Sequence, residues 1–192
     1  TSYLTTHNKF IGQFAYRELE TDHDGLPLIM LTHLSATLDD WIAFIDQLAE
    51  QNHVIAVDLP GVGASRGHVP PTIEEMASQA IEFVQLLGFS KINLLGLSMG
   101  GMIAQAVAEK KPELINRLVL AGTGPRGGQG IAQVSTITFT TMSQPPSAKV
   151  DGLWANTPVL SIRTTICIDT DDLLEQPQLL DSDHLITNAF YI

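Results

Sequence analysis

The chain has one cysteine in 192 residues, Cys167, so neither a disulfide framework nor a cysteine-based zinc site can staple it. That thiol reads as a small core residue. Basic side chains are also scarce, with ten Lys and Arg against 21 Asp and Glu and a formal net charge of −11. A surface of that sign repels phosphate backbones and anionic lipid heads, so neither nucleic acid nor a membrane is an expected partner. Aromatic residues make up 6% of the chain, and charged residues, at 16%, fall below the usual share of about 25%. Apolar residues fill the gap at 44%, which is enough for one packed domain and too much for intrinsic disorder.

Long hydrophobic runs are missing too. The most apolar stretch, Ile92 to Ala108, is broken by Asn93, Ser98, Gln105 and several glycines, which suits a buried strand running into a buried helix and not a membrane span. Thr1 to Asn8 is polar and unpatterned, unlike a secretory leader. A cytoplasmic protein is expected. There is no internal repeat or low-complexity tract.

Short runs rich in β-branched residues alternate with segments of helical period, the pattern of a mostly parallel sheet flanked by helices in an α/β fold. The expected strands are Leu28 to Thr32, Val54 to Asp58, Ile92 to Leu95 and Leu118 to Ala121. Ahead of them, Lys9 to Ile11 and Phe14 to Leu19 flank Gly12-Gln13, a two-residue hairpin turn that would add an antiparallel edge. The clearest helix is Ile73 to Leu87, with Thr72 and Glu75 as a capping box and Gly88 just past its end. Others are expected from about Leu38 to Glu50, with Trp41, Ile45, Leu48 and Ala49 inward, and from Gly100 to Lys111, closed by Pro112. After Gly122 the periodicity fails, although Pro158 to Ile168 reads as a further strand.

Gly96-Leu97-Ser98-Met99-Gly100 is the strongest chemical signal, a G-x-S-x-G between a strand and a helix. The pattern alone arises by chance in roughly one chain in fifteen of this length, so its context carries the weight. A strand must turn sharply into a helix here, and glycines at 96 and 100 allow the two to pack closely around the turn. The serine at the apex is then strained and exposed above the sheet, with the Met99 N–H aimed to where an oxyanion would form. Two other glycine patterns are weaker. Asp58 with Gly61-x-Gly63 is followed by Arg66, Pro70 and Pro71 where a nucleotide-binding helix should open, and Gly122 to Gly127 is interrupted by Pro125. No cofactor is expected. His7, His23, His53 and His68 lack metal-ligand spacing and read as surface residues, so no metal is expected either.

Taken in order, Leu28 to His33, Val54 to Ser65, Gly96 to Gly101 and Leu118 to Pro125 resemble an α/β-hydrolase, in its esterase-like and cofactor-free haloperoxidase-like branch. The resemblance covers Phe14 to about Gly128. It implies an α/β-hydrolase core at residues 1–128, a short irregular cap remnant at 129–157, and an incomplete C-terminal part of the same core at 158–192. In the family a second oxyanion donor follows a His-Gly pair after the third strand. Here His33 is followed by Leu34 and Ser35, so the loop of Leu34 and Ser35 matches that donor position with the glycine replaced.

The family order is serine, acid, histidine. His184 is the one histidine beyond Ser98, and Leu180 to Asp183 resembles the family's acid-bearing turn with its glycine lost, which implies Asp183 as acid. On that alignment the eighth strand and its histidine are expected beyond Ile192. The other alignment takes Asp169, Asp171 or Asp172 as acid and His184 as base, leaving hardly a dozen residues for a crossover that usually needs more. The implied activity is a serine hydrolase acting on an ester or related acyl bond of a small neutral molecule. A haloperoxidase-like perhydrolase with the same triad, and a non-catalytic remnant acting as a binding protein, are the alternatives. A sheet lacking its last strand would offer an open edge to a second copy of the chain.

Overall fold

The computed structural model describes residues 2–20, 25–32, 36–124 and 165–169. These form a seven-stranded sheet with three helices. The strands are β1 (Lys9–Ile11), β2 (Phe14–Leu19), β3 (Leu28–Leu31), β4 (Val54–Asp58), β5 (Ile92–Leu97), β6 (Ile115–Ala121) and β7 (Thr165–Asp169), in the order β1-β2-β4-β3-β5-β6-β7. The helices are α1 (Ile42–Ala49), α2 (Ile73–Leu86) and α3 (Met99–Lys110).

At the centre, β4, β3, β5 and β6 run parallel, as strands buried on both faces do. The β1–β2 hairpin turns at Gly12 (φ 56°), pairs Ile11 with Phe14, and joins β4 antiparallel. Side chains alternate across the sheet. Ile29 and Leu31 of β3, with Ile55 and Val57 of β4, pack in one cluster with Ala77, Phe83 and Val84 of α2 and Ile103 and Val107 of α3. Leu28, Met30, Val54 and Ala56 pack in a second with Tyr3 and with Ile45 and Ala49 of α1.

Thr72 caps α2 through its hydroxyl, which accepts the Glu75 N–H at 3.2 Å, and Gly88 takes the left-handed turn (φ 84°) that ends it. The expected helix from Leu38 starts later, at Ile42. Its intended first turn is spent elsewhere: the Asp40 carboxylate accepts the Thr37 N–H at 2.7 Å, and Trp41 sits at φ 64°. Ile45 and Ala49 are buried, while Trp41 and Leu48 pack from the rim.

The last described strand overlaps the end of the stretch expected as one and runs one residue past it, to Asp169, antiparallel to β6. Its register sets Thr165 opposite Ala121 and Asp169 opposite Arg117. The cap remnant expected at 129–157 lies outside the described residues.

Candidate active site

The elbow forms where β5 ends. Ser98 has φ 55° and ψ −116°, a conformation that non-glycine residues reach only under constraint. The constraint is visible in its backbone partners. Its N–H donates to the Ala121 carbonyl at 3.0 Å, and its carbonyl accepts the Gly101 N–H at 2.9 Å, the Met102 N–H at 3.3 Å and the Thr123 hydroxyl at 2.6 Å. A serine at a helix start commonly caps it. Ser98 makes no such bond, so its Oγ is not committed to the helix.

The glycines close the packing under the turn. A Cβ on Gly100 would stand 2.2 Å from the Leu31 carbonyl oxygen, and one on Gly96 would stand 2.5 Å from that of Gly100. The helix start is therefore pressed against the end of β3 and the end of β5 together. Met99 is the first residue of α3, so its N–H has no acceptor within the helix and sits at the positive end of the helix dipole.

A cavity of about 100 Å³ opens beside this turn, with Leu31, Thr32, Val57, Asp58, Met76, Met99 and Ile103 in its wall. Its lining among the described residues is aliphatic except for Thr32 and Asp58. Asp58 ends β4 and is 2% exposed. Burial pushes its carboxyl above the ordinary aspartate range, against the Ala64 N–H that donates to it at 2.9 Å; Asp39 adds to the rise and Arg17 opposes it.

Of the residues expected to act, the structure brings Ser98 and Met99 together at the elbow. Leu34 and Ser35 lie outside the described residues, as do Asp171, Asp172, Asp183 and His184. Asp169 is described, and it lies four residues along the β6–β7 ladder from Thr165, away from the end where Ala121 meets Ser98. At about 3.3 Å per residue that is some 13 Å from the elbow. Two contributors were not anticipated: Thr123, which pins the strained peptide, and Asp58, whose partners are distant in sequence.

Among the described residues one group has donors suited to a metal ion, the carboxylates of Glu18 and Glu20 with the imidazole of His53, all within 4.8 Å of one another. Glu18 is already engaged on both oxygens, by Lys9 Nζ at 2.7 Å and by His53 Nε2 at 2.7 Å. His53, expected at the surface, has a side chain only 18% exposed and meets the Phe89 ring edge-on at 6.3 Å. This cluster sits near the start of β4, where Glu18 pairs with Ile55, at the opposite end of the sheet from Ser98. No helix among the described residues is long and apolar enough to cross a membrane.

The chain is 35% identical over 123 residues to a poly(3-hydroxyalkanoate) depolymerase of Ectopseudomonas oleovorans, covering 57% of this chain and 44% of that protein. It is 29% identical over 98 residues to the (E)-2-((N-methylformamido)methylene)succinate hydrolase of Acinetobacter baylyi, covering 50% of this chain and 37% of that one. The chain thus spans less than half the length of these curated relatives. Among solved structures it resembles an alpha/beta hydrolase fold protein from Chitinophaga pinensis at a TM-score of 0.66 and 28% identity, over 78% of this chain and 56% of that chain. Residues 26–175 match the family described as the alpha/beta hydrolase fold, and the chain belongs to that family.

Proposed function

We propose that the chain carries the nucleophile of a serine hydrolase that cleaves an ester or related acyl bond of a small neutral substrate through an acyl-enzyme. The conformation of Ser98 carries this reading: φ 55° is held by four hydrogen bonds to one residue's backbone. Strain of that kind costs about 1–3 kcal/mol and persists where the surroundings over-determine it. The names of both curated relatives, a depolymerase and a hydrolase, support hydrolysis. The aliphatic cavity wall beside Met99 supports an uncharged substrate.

In the proposed reaction Ser98 Oγ attacks the substrate's carbonyl carbon while an imidazole takes the hydroxyl proton. The N–H of Met99 and one from the loop of Leu34 and Ser35 hold the developing oxyanion, each such donor contributing about 10²–10³ in rate. The imidazolium then protonates the departing alcohol or amine, and water repeats the sequence to release the acid and free serine. Asp183 orients a histidine beyond residue 192 as the base, or, on the other alignment, His184 serves as the base and Asp171 or Asp172 orients it.

Intact mass after incubation with a fluorophosphonate probe tests this directly. One adduct on the wild-type chain and none on Ser98→Ala is the expected result. A folded wild-type chain that takes no adduct overturns the proposal and leaves a non-catalytic remnant as the better account.

A further inference from the structure

The peptide between Ser98 and Met99 is trans and planar, so its carbonyl and its N–H point in opposite directions. Whatever fixes the Ser98 carbonyl therefore also aims the Met99 N–H. That carbonyl accepts the Gly101 N–H at 2.9 Å and the Met102 N–H at 3.3 Å, bonds that a helix start supplies unaided. The third bond comes from outside the helix, from the Thr123 hydroxyl at 2.6 Å. Two residues before Thr123, the Ala121 carbonyl at the end of β6 accepts the Ser98 N–H at 3.0 Å. One short stretch of chain thus holds both polar backbone groups of the strained serine.

This stretch is itself seated on α3. Gly122 turns at φ 56°, and the buried Gln105 donates through Nε2 to the Gly124 carbonyl at 3.0 Å and to the Gly101 carbonyl at 3.2 Å. Gly101 makes room for the threonine. A Cβ there would stand 2.5 Å from Thr123 Cβ and 2.6 Å from both Cγ2 and Oγ1, so the side chain lies flat on the helix where that methyl is missing. An apolar residue in place of Gln105 would pack without the cost of burying an amide. What the amide adds is a fixed seat for Thr123 and Gly124.

We infer that Thr123 is a positioning residue for the oxyanion donor at Met99, its hydroxyl holding the Ser98 carbonyl from outside the helix so that the Met99 N–H keeps its aim. A hydrogen bond to the carbonyl of a peptide also polarises the N–H of that peptide and makes it a stronger donor. The inference rests on the serine-hydrolase reading and adds to it a residue that acts through the Ser98–Met99 peptide and not on the substrate.

The test uses the full chain and fluorophosphonate labelling at several probe concentrations, with far-UV circular dichroism and urea unfolding alongside. Labelling sets the phosphoryl oxygen where a substrate's carbonyl oxygen would sit, so its limiting rate reports on the Met99 N–H. Thr123→Val keeps the branched shape against Gly101 and removes the hydroxyl, whereas Thr123→Ser keeps the hydroxyl and removes the methyl. Thr72→Ala, which deletes the cap of α2, is the control for lost stability. Complete loss of an oxyanion donor costs about 10²–10³ in rate, so a misaimed one should lower the limiting rate of Thr123→Val at least about tenfold. The half-saturating probe concentration should change little. Thr123→Ser should recover most of the wild-type rate. Thr72→Ala should unfold at lower urea, having lost about 1 kcal/mol, yet label within about twofold of wild type.

A folded Thr123→Val that labels at the wild-type rate overturns this inference and leaves the hydrolase reading standing. So does a Thr123→Ser as slow as Thr123→Val, or slowing of all three variants in step with their lost stability. A wild type that does not label overturns the hydrolase reading and this inference with it. If Thr123→Val does not fold, Gln105→Met decides, since it removes the seat and leaves the threonine: slowed labelling supports the inference, and the wild-type rate overturns it.

Discussion

At the carboxyl ends of β3, β4 and β5 backbone packs on backbone, whereas near the amino end of β4 the chain is held by side-chain charges at a partly open surface. The first end has Gly100 against Leu31, a serine at φ 55° and a buried carboxylate. The second has Lys9, Glu18 and His53 in a short ion-pair chain, with the lysine 52% exposed. One arrangement tolerates almost no displacement and the other can rearrange in water at little cost. Both ends belong to the same strands, so the difference marks where the sheet is committed to fixed geometry.

The sharpest way to break that comparison is to add a single methyl group at each kind of position. Gly100→Ala would set its Cβ 2.2 Å from a backbone oxygen, and nothing flexible is there to yield. A loss of about 3 kcal/mol or more is expected, at the upper end of overpacking costs. Gly88→Ala, away from the elbow, has no atom within 4 Å of its Cβ and suffers only from φ +84°, for about 1 kcal/mol. Urea unfolding of the two variants checks both values. Similar losses would show that the elbow is no more tightly built than an ordinary helix end.

A smaller effect is expected at Tyr3, which holds the Leu38 carbonyl. Burial pushes its phenol up to about 12, the Arg17 charge opposing the rise and Asp58 and Asp39 adding to it. A phenol unfolded in water titrates at about 10, so its contribution to stability is complete below about pH 10 and is lost as pH climbs toward 12. Tyr3→Phe should cost about 1 kcal/mol at neutral pH for the lost hydrogen bond, and it should remove this alkaline loss. Equal slopes of stability against pH for wild type and variant between about pH 9 and 11 would refute the burial account.

The elbow was legible in the sequence because its chemistry is local. Gly96, Ser98, Met99 and Gly100 are neighbours in the chain, and a strand before and a helix after suffice to fix what they do. The strands Val54 to Asp58 and Phe14 to Leu19 and the helix from Ile73 follow the same logic, each signalled by its own residues. The surroundings of Asp58 were not legible, because the Ala64 N–H reaches its carboxylate through a turn at Gly61 and Gly63 that the sequence offered only as a weak glycine pattern. The burial of Phe83 in α2 was not legible for a similar reason: it comes from the rings of Phe14 and Tyr16 of β2, at 5.3 and 5.5 Å. The direction of β7 depends on which strand it meets, and no periodicity within Pro158 to Ile168 encodes that. The proposed acid and base fall outside the described residues.

The two carboxylates at the two ends should also answer acid in opposite senses, which gives the smallest but most specific effect. At Glu18 burial raises the pKa, but the bonds from Lys9 and His53 outweigh it and hold the carboxyl below the ordinary glutamate range. The stability it contributes is present above that range and is lost as pH falls through its folded value. At Asp58 burial wins, so protonation favours the fold, and the stability gained at low pH is lost as pH rises through the raised value. Glu18→Gln should therefore flatten the acid loss of stability, while Asp58→Asn should steepen it relative to wild type. With Lys9 half exposed, the Glu18 effect should be no more than about 1 kcal/mol and should shrink on going from low salt to about 1 M. Stability curves from urea unfolding between about pH 3 and 7 measure both. Variants that shift the acid limb in the same direction would mean that the carboxyl end is held by ordinary ion pairing after all, and that its fixed geometry comes from the glycine contacts alone.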